Sequence, residues 1–424
     1  MIPVQMHSAK SSEAAVSLAP RHIVMVAPFG LAPKATTRAR ALPLAAALVA
    51  RGHRVTLIVP PWDDPAQSGL EWVEEGVTIR HIALPRRCET AGIVARLRAA
   101  IRAARPDLVH VFKPKGHGAL AALGLERRYP VVVDTDDWEG RGGWNDSGLY
   151  GPAQRALFAW QERDAPRRAA AATAASRTLE GQLWGFGLAP ERVAYLPNGV
   201  AHARHGGWAR AREAAPAVRA RLGLGDAPTV LLYTRFVEFA PARAVAILRG
   251  VREHVPDARL LVVGHGLGGE DAALHAAARL AGLDAAITQL PWVEWADLPA
   301  TLAVGDVAIL PYADTLINRA KCSVKALDLL VAARPIVADA VGQLRETLVP
   351  GESGVLVPPD EPAAFAPAVA ALLRDPARRA ALGAAAERRA WDSFDWAHLV
   401  VRAEELYARA FARHAGSARR RGGR

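Results

Sequence analysis

Lysine is rare in this chain, and its positions predict sites that bind anions. Only six of the 53 basic residues are lysines. Five of the six fall in three short segments, at Lys34, at Lys113 and Lys115, and at Lys321 and Lys325. A lysine ammonium is a compact, mobile point charge, which suits phosphate binding in a way that a planar guanidinium does not. Chance clustering of so few residues is the alternative, so the flanking residues must decide between the two.

The densest of these segments, Asn318 to Pro335, predicts a helix whose N-terminus binds phosphate. Ser323 is a good N-cap for a helix that begins at Val324. The free N–H groups of such a helix, with a lysine beside them, form an anion site. Lys325 and Asp328 share a helix face, so the lysine could neutralise a diphosphate while the carboxylate accepts hydrogen bonds from ribose hydroxyls. An intrahelical ion pair without a ligand is the alternative.

A second reactive segment, Asp134 to Glu139, follows an apolar strand and contains three aspartates and a tryptophan. Asp136 and Asp137 could bind sugar hydroxyls or orient an acceptor. The same pattern contains D-x-D, in which paired carboxylates can hold a metal ion beside a nucleotide, so a metal site is one alternative. A helix cap in a solvated loop is the other.

These groups require parallel sheets to position them. Short apolar strands alternate with helical segments, which is typical of βαβ units. In the first half we predict the strands His22–Ala27, Val55–Val59, Val77–Ile82, Leu108–Phe112 and Val131–Asp134. In the second half we predict Val230–Tyr233, Leu260–Val263, Ile287–Gln289, Val307–Leu310 and Pro335–Ala338. Ligands bind beyond the carboxyl ends of such strands, where all five clustered lysines are expected.

The overall composition excludes several classes of protein. The chain of 424 residues carries a net charge of +11 without a helix-turn-helix, zinc or RNA-binding signature, which favours an acidic ligand or an anionic membrane surface over nucleic acid. Two cysteines, Cys88 and Cys322, and the lack of a signal-peptide pattern predict a cytoplasmic protein. The longest apolar run, Ala41–Ala50, is too short to span a membrane.

The segment from Asp328 to Val337 (DLLVAARPIV) resembles the C-terminal signature of the GT-B glycosyltransferases of family 4, the glycosyl transferases group 1. Further similarities to that family occur in the expected order along the chain, at Leu48–Ile58, Leu196–Val200, Leu261–Gly266, Gly354–Pro359 and Trp391–Trp396. The resemblance implies an α/β protein with two Rossmann-like domains facing a central cleft. The predicted domains are a flexible leader (1–20), an N-terminal acceptor domain (21–200), a C-terminal nucleotide-sugar domain (201–395), a return helix (396–412) and a basic tail (413–424).

The resemblance also implies roles for individual residues. Arg235 and Lys325 would neutralise the departing diphosphate, and Asp136 and Asp137 stand where many members have a catalytic His or Asp. The remaining donor-binding candidates are Gly30, His265, Gly266, Trp292 as a partner of the base, Lys321, Ser323, Val324 and Asp328. The alternatives to donor binding are a simple strand–helix turn at Gly30 and a core position for Trp292. Two histidines, His110 and His117, could be general bases or structural residues.

Three departures from the family pattern put the donor sugar in doubt. Asp328 stands where Glu is usual, Ala320 stands where the family has another Glu, and Ala240 replaces a Lys. Lys321 or Lys325 could supply the missing charge.

The sequence therefore predicts a retaining glycosyltransferase without a metal or other cofactor, using a nucleotide-diphosphate sugar. Its acceptor would be a small molecule, a glycan or a lipid-linked compound. A nucleotide-sugar 2-epimerase and a catalytically inactive nucleotide-binding subunit are the alternatives. Paired arginines in the first half, such as Arg167 and Arg168, leave room for a weak electrostatic contact with a membrane.

Overall fold

The first half of the chain forms one eight-stranded sheet. The computed structural model describes residues 18–31, 36–87 and 89–422. Three parts of the predictions lie outside the described residues: the leader up to residue 17, Lys34 and Cys88. The strands are β1 (His22–Val26), β2 (Arg54–Val59), β3 (Glu71–Glu74), β4 (Val77–His81), β5 (Leu108–Phe112), β6 (Val131–Thr135), β7 (Ala171–Ala174) and β8 (Val193–Tyr195). Their order is β3-β4-β2-β1-β5-β6-β7-β8, and only β3 is antiparallel to its neighbour.

The second half forms a six-stranded sheet that is parallel throughout. Its strands are β9 (Thr229–Tyr233), β10 (Arg259–Val263), β11 (Ile287–Leu290), β12 (Val307–Leu310), β13 (Ile336–Asp339) and β14 (Val355–Val357). They lie in the order β11-β10-β9-β12-β13-β14. Two α/β domains, each built on a predominantly parallel sheet, confirm the predicted fold class.

Helices cover both faces of each sheet. They are α1 (Leu42–Ala50), α2 (Thr90–Ala104), α3 (Gly116–Ala122), α4 (Pro152–Arg168), α5 (Arg177–Gly185), α6 (His202–His205), α7 (Trp208–Ala211), α8 (Ala215–Arg221), α9 (Pro241–Arg252), α10 (Glu270–Leu280), α11 (Leu298–Leu302), α12 (Leu316–Ala320), α13 (Val324–Val331), α14 (Leu344–Thr347), α15 (Phe365–Leu373), α16 (Pro376–Phe394) and α17 (Trp396–Gly422). None of the described helices is long and apolar enough to cross a membrane.

The last helix returns to the first sheet and completes its core. Trp396, Leu399 and Tyr407 of α17 are fully buried, and the helix packs against α1, β6, β7 and β8. The helix continues to residue 422, beyond the predicted end at 412, so most of the predicted basic tail is helical. The chain passes between the halves next to this helix, where Val200 pairs with Asp395 in an isolated bridge. Residues that follow β5, β6 and β9 line one cavity, so the carboxyl ends of both sheets face one cleft.

Candidate active site

One cavity of about 820 Å³ lies between the two halves of the chain. Of the predicted site residues, the cavity is lined by Asp136, Asp137, Arg235, Lys321, Ser323, Val324 and Lys325. The first two follow β6, and the other five come from the second half. The topology therefore brings the acidic segment and the lysine-rich segment to opposite sides of one space.

The lysine-rich side is built around the N-terminus of α13. The Ser323 hydroxyl accepts a hydrogen bond from the Ala326 N–H at 3.3 Å, so Ser323 caps the helix as predicted. A 2.9 Å hydrogen bond between the hydroxyls of Ser323 and Tyr312 fixes the cap from below. The helix begins at the cavity wall, and its first N–H groups carry the positive end of the helix dipole.

Two cations beside this helix have no carboxylate partner among the described residues. Lys325 lies 5.7 Å above the ring of Tyr233 and forms no salt bridge, so the alternative of an ion pair with Asp328 is not what the structure shows. Burial, with smaller contributions from the charges of Lys321 and Arg235, lowers the pKa of Lys325 below its ordinary value. An anion bound here would reverse that shift, which makes this the part of the cavity suited to a diphosphate.

Lys321 is held by an acid that the sequence analysis did not single out. Its Nζ lies 2.6 Å from a carboxylate oxygen of Glu238, which is 5% exposed. Burial opposes ionisation of Glu238, but Lys321 and Lys325 outweigh it and keep its pKa below the ordinary value. The side-chain amide of Asn318 donates to the Glu238 carbonyl at 2.7 Å. The loop after β9 is thereby tied to the segment before α13.

Asp328 is buried and already paired. Its carboxylate lies 3.2 Å from Nε2 of His205, and the two side chains are 2% and 3% exposed. The His205 ring packs against Trp208 and Trp295, with centroids 5.1 and 5.6 Å away. Asp328 lies outside the lining of the cavity. Burial raises the pKa of the Tyr233 hydroxyl above its ordinary value, and the nearby charge of Asp328 adds to that rise. A ribose would have to share this carboxylate with His205.

The positions where this chain departs from the family pattern have different surroundings. Ala320 is fully buried in an apolar cluster with Leu179 and Leu183 of α5, so it packs the two halves together. Ala240 is exposed at the start of α9. No side chain at either position replaces the family's acid or base. Of the two lysines expected to compensate, Lys321 is engaged by Glu238 and Lys325 has no such partner among the described residues.

On the opposite side, Lys113 gathers three carboxylates. Its Nζ lies 2.9 Å from Asp136, 2.6 Å from Asp137 and 3.0 Å from Glu139. Lys115 pairs with Glu139 from the other side. Lys113 adopts a left-handed backbone conformation (φ 64°), a strained geometry for a residue with a side chain, and its side chain is only 8% exposed. The cluster therefore has a defined geometry and is not a solvated loop.

The two aspartates of this cluster have opposite tendencies to ionise. Burial raises the pKa of Asp136 to about 6, and the neighbouring charges of Asp137 and Asp134 add to the rise. Burial also disfavours ionised Asp137, but Lys113 outweighs it and holds that pKa below its ordinary value. Thr36 donates a hydrogen bond to Asp136 at 3.2 Å. Asp137 can thus act as a fixed anion, while Asp136 can gain or lose a proton near neutral pH.

The same carboxylates are the candidate metal ligands. One oxygen from each of Asp136, Asp137 and Glu139 lies within 4.8 Å of the others. The Lys113 ammonium is in salt-bridge contact with all three, so a metal ion would have to displace it.

A buried arginine connects the two sides of the cavity. Nε and Nη2 of Arg40 donate to the Asp134 carboxylate at 2.8 and 2.5 Å, and Nη1 donates to Asn198 at 3.0 Å. The Asn198 amide then donates to the Cys322 carbonyl at 2.8 Å, next to the cap Ser323. A continuous chain of hydrogen bonds therefore runs from β6 through the inter-domain linker to α13.

Besides Asp328, four predicted donor residues lie outside the cavity lining. The Gly30 N–H donates to Asp63 at 2.8 Å, and the Gly266 N–H donates to Asp271 at 3.1 Å, so neither amide is free for a ligand. His265 contacts the Pro291 carbonyl at 2.9 Å. Trp292 is 72% exposed, which rules out the alternative of a core position.

The two candidate histidines have different environments. His110 is fully buried, with Nδ1 at 2.8 Å from the Tyr407 hydroxyl, and burial lowers its pKa to about 4. It is a structural histidine and not a general base. His117 lines the cavity, 6.2 Å from the ring of Trp62, and burial lowers its pKa.

Comparison with known proteins places both halves in described families. The family described as "Glycosyl transferase 4-like domain" matches residues 36–199, and "Glycosyl transferases group 1" matches residues 230–375. A D-inositol 3-phosphate glycosyltransferase from Pseudarthrobacter chlorophenolicus is 33% identical, but the match spans only 41% of this chain and 40% of that protein. A glycogen synthase from Mycobacterium tuberculosis H37Rv is 26% identical over 87% of this chain and 89% of that protein.

Solved structures share the fold. The Anabaena protein HepE in complex with UDP-glucose superimposes with a TM-score of 0.67 at 18% identity, covering 92% of this chain and 100% of that one. At this identity the similarity establishes the arrangement of two domains around a cleft and no more.

Proposed function

The chain belongs to the GT-B glycosyltransferases, with a glycosyl transferase 4-like N-terminal half and a group 1 C-terminal half, and we propose that it transfers a sugar from a nucleotide-diphosphate donor with retention of configuration. One observation carries the donor class. Lys325 and Arg235, which have no carboxylate partner among the described residues, stand beside the capped N-terminus of α13 in the same cavity as Asp136 and Asp137.

The proposed chemistry consists of positioning and charge neutralisation. As the glycosidic bond to the diphosphate breaks, negative charge grows on the leaving phosphate. Lys325, Arg235 and the first N–H groups of α13 are already oriented towards that space, so they can stabilise the charge without rearranging. Asp136 and Asp137 face it from the other half and would accept hydrogen bonds from acceptor hydroxyls. Retention and metal independence are carried over from the family resemblance.

A thermal-shift screen tests the donor class. UDP, GDP and ADP and their hexose conjugates are added separately, because the described site does not identify the base. A nucleotide at 100 times its dissociation constant should stabilise the protein by about 2.7 kcal/mol. Lys325→Ala and Arg235→Ala should each remove most of that effect, whereas Arg249→Ala, an exposed position on α9, should not. Equal stabilisation of all four proteins would contradict the assignment.

Transfer is tested with the best-binding donor. Retention predicts that the product has the same anomeric configuration as the donor, which NMR coupling constants report. An added chelator should leave the rate unchanged if the reaction needs no metal.

A second candidate is a nucleotide-binding subunit without catalytic activity. The observations that favour it are the burial of Ala320 and the pairing of Asp328 with His205, because both alter positions that the family uses for the donor. Nucleotide binding without donor hydrolysis or transfer under any acceptor would support it.

A further inference from the structure

The side of the cavity that faces the nucleotide site combines an acidic cluster with a large apolar surface. Besides the acidic cluster, the N-terminal half lines it with large apolar or aromatic side chains, among them Trp62, Leu120, Trp144, Tyr150, Leu157 and Phe158. Tyr150 and Phe158 pack edge to face with centroids 5.0 Å apart, at the start of α4. Trp62 and Leu157 are 37% and 36% exposed, which is high for large apolar residues. A ligand that buried them would gain free energy.

The charged residues that the structure describes on this side are all paired. Lys113 contacts three carboxylates, and the Arg40 guanidinium is bound by Asp134. Lys115 pairs with Glu139, and its ammonium lies 5.0 and 5.3 Å above the rings of Tyr150 and Phe158. Of the described lysines and arginines that line the cavity, those without a carboxylate partner stand on the nucleotide side. The acceptor side therefore offers carboxylates and apolar surface, but no unpaired cation among its described residues.

We propose that the acceptor is an uncharged hydroxyl compound bearing an apolar group, such as an aryl or alkyl glycoside, with its hydroxyls at Asp136 and Asp137 and its apolar group between Trp62 and Phe158. The inference rests on the proposed function, since it names the acceptor of that same site. The carboxylates accept hydrogen bonds from neutral hydroxyls, whereas they would repel a phosphate.

This acceptor class differs from what one relative's name indicates. The match to a D-inositol 3-phosphate glycosyltransferase covers less than half of that protein, and its acceptor is phosphorylated. A phosphorylated acceptor needs cations that are free to bind it. Here the described cations on the acceptor side, Arg40, Lys113 and Lys115, are neutralised by Asp134, Asp136, Asp137 and Glu139.

Direct binding tests the inference without requiring turnover. Methyl, phenyl and octyl glucosides and mannosides, and the corresponding sugar 1-phosphates, are titrated into the full-length protein while tryptophan fluorescence is followed, with and without the nucleotide that stabilises it best. Burying a phenyl ring in place of a methyl group should tighten binding at least about tenfold. Sugar phosphates should bind no more tightly than methyl glycosides. Equal affinity for methyl and phenyl glycosides, preference for a phosphate, or no binding at all would overturn the proposal.

Variants locate the effect. Phe158→Ala and Trp62→Ala should each reduce the phenyl advantage to about threefold or less, with little change in affinity for the methyl glycoside or the nucleotide. Trp160→Ala is the matched control, because Trp160 lies on α4 two residues from Phe158 but outside the cavity lining. If Trp160→Ala has the same effect as Phe158→Ala, the apolar group binds elsewhere and the proposal is wrong.

The apolar group can come from a soluble compound or from a lipid. Sedimentation with phosphatidylcholine vesicles containing anionic phosphatidylglycerol, at low and high salt, distinguishes these sources. Octyl glycosides that bind much more tightly than phenyl glycosides, together with sedimentation, indicate a lipid-borne acceptor. Similar affinities without sedimentation indicate a soluble one.

The outcome is separable from that of the proposed function. A phenyl advantage without nucleotide binding would refute the glycosyltransferase proposal and leave the apolar site standing. Nucleotide binding and transfer without a phenyl advantage would do the opposite.

Discussion

Replacing Lys113 with methionine would remove the ammonium that Asp136, Asp137 and Glu139 share. The variant keeps most of the aliphatic stem, so the change is mainly electrostatic. All three oxygens lie within 3.0 Å of Nζ, and the side chains involved are 2% to 21% exposed. Removing one partner of a buried ion pair typically costs 3–5 kcal/mol, because the remaining charge is left uncompensated. Here several carboxylates lose a partner at once. We therefore expect the free energy of unfolding to fall by about 4 kcal/mol at pH 8, which lowers the midpoint of thermal unfolding by about 10 °C for a domain of this size.

The loss should depend on pH in a defined direction. Burial already raises the pKa of Asp136 to about 6 with the ammonium in place, and without it the pKa would rise further. A carboxyl whose pKa is higher in the folded than in the unfolded state favours folding when protonated, and that contribution disappears as pH rises through the folded pKa. Lys113→Met should therefore be much less destabilising at pH 5 than at pH 8.

Urea denaturation at both pH values measures this prediction. Lys115→Met removes a partner of Glu139 alone and should cost less. Arg38→Ala breaks an exposed pair with Glu74 and should cost under about 1 kcal/mol. Since the three oxygens lie within 4.8 Å of one another, Ca²⁺ should stabilise Lys113→Met but not the wild type. A loss at pH 8 no larger than that of Arg38→Ala, or an equal loss at both pH values, would refute the reasoning.

Three further predictions concern the cavity. Burial raises the pKa of Asp136 to about 6, so kcat/KM should fall as pH drops below about 6 if the ionised form receives the acceptor. Asp136→Asn should remove that pH dependence along with much of the activity. An unchanged pH profile in the variant would contradict the role of Asp136. If Asp328 binds ribose, Asp328→Asn should weaken nucleotide binding about tenfold and abolish discrimination against the 2′-deoxyribose and 3′-deoxyribose analogues, as calorimetry would show, while full retention would make Asp328 only the partner of His205. Burial raises the pKa of the Cys322 thiol to about 11, so iodoacetamide should label the native protein at this residue far more slowly at pH 8 than the urea-unfolded chain, as mass spectrometry of the peptide would report.

Regular strands were predictable because each carries its own apolar pattern. The five strands expected in each half correspond to strands of the structure, with ends that agree or differ by one residue. The missed strand β7 has the sequence AATA, and alanine favours helices, so only its burial in the sheet makes it a strand. The missed strand β8 has three residues, too few to show a period.

The site was predictable where neighbouring residues determine it. The cap at Ser323 follows from local sequence, and the structure has it. The Lys113–Asp136 pair does not follow from local sequence, because its two residues come from different loops. The parallel register of Phe112 with Asp134 brings together these loops, which follow β5 and β6. The neighbouring lysine and aspartate segments at two strand ends were the available signal. His205 and Asp328 are 123 residues apart and meet only because the fold brings the end of α6 next to α13, which no local pattern reveals.

The return of α17 to the first sheet has a consequence for synthesis on the ribosome. The last strand of that sheet ends at Tyr195, but the wall that covers its core begins at Trp396. At 5–20 residues per second, about 10–40 s separate the two. During that interval the nascent N-terminal half exposes apolar side chains in and next to β6 and β8, Val132 and Leu196 among them, that the finished protein buries completely. The emerging chain is therefore a natural client for ribosome-associated chaperones, and an expressed fragment ending near residue 200 should aggregate unless a segment containing 396–410 is supplied in trans.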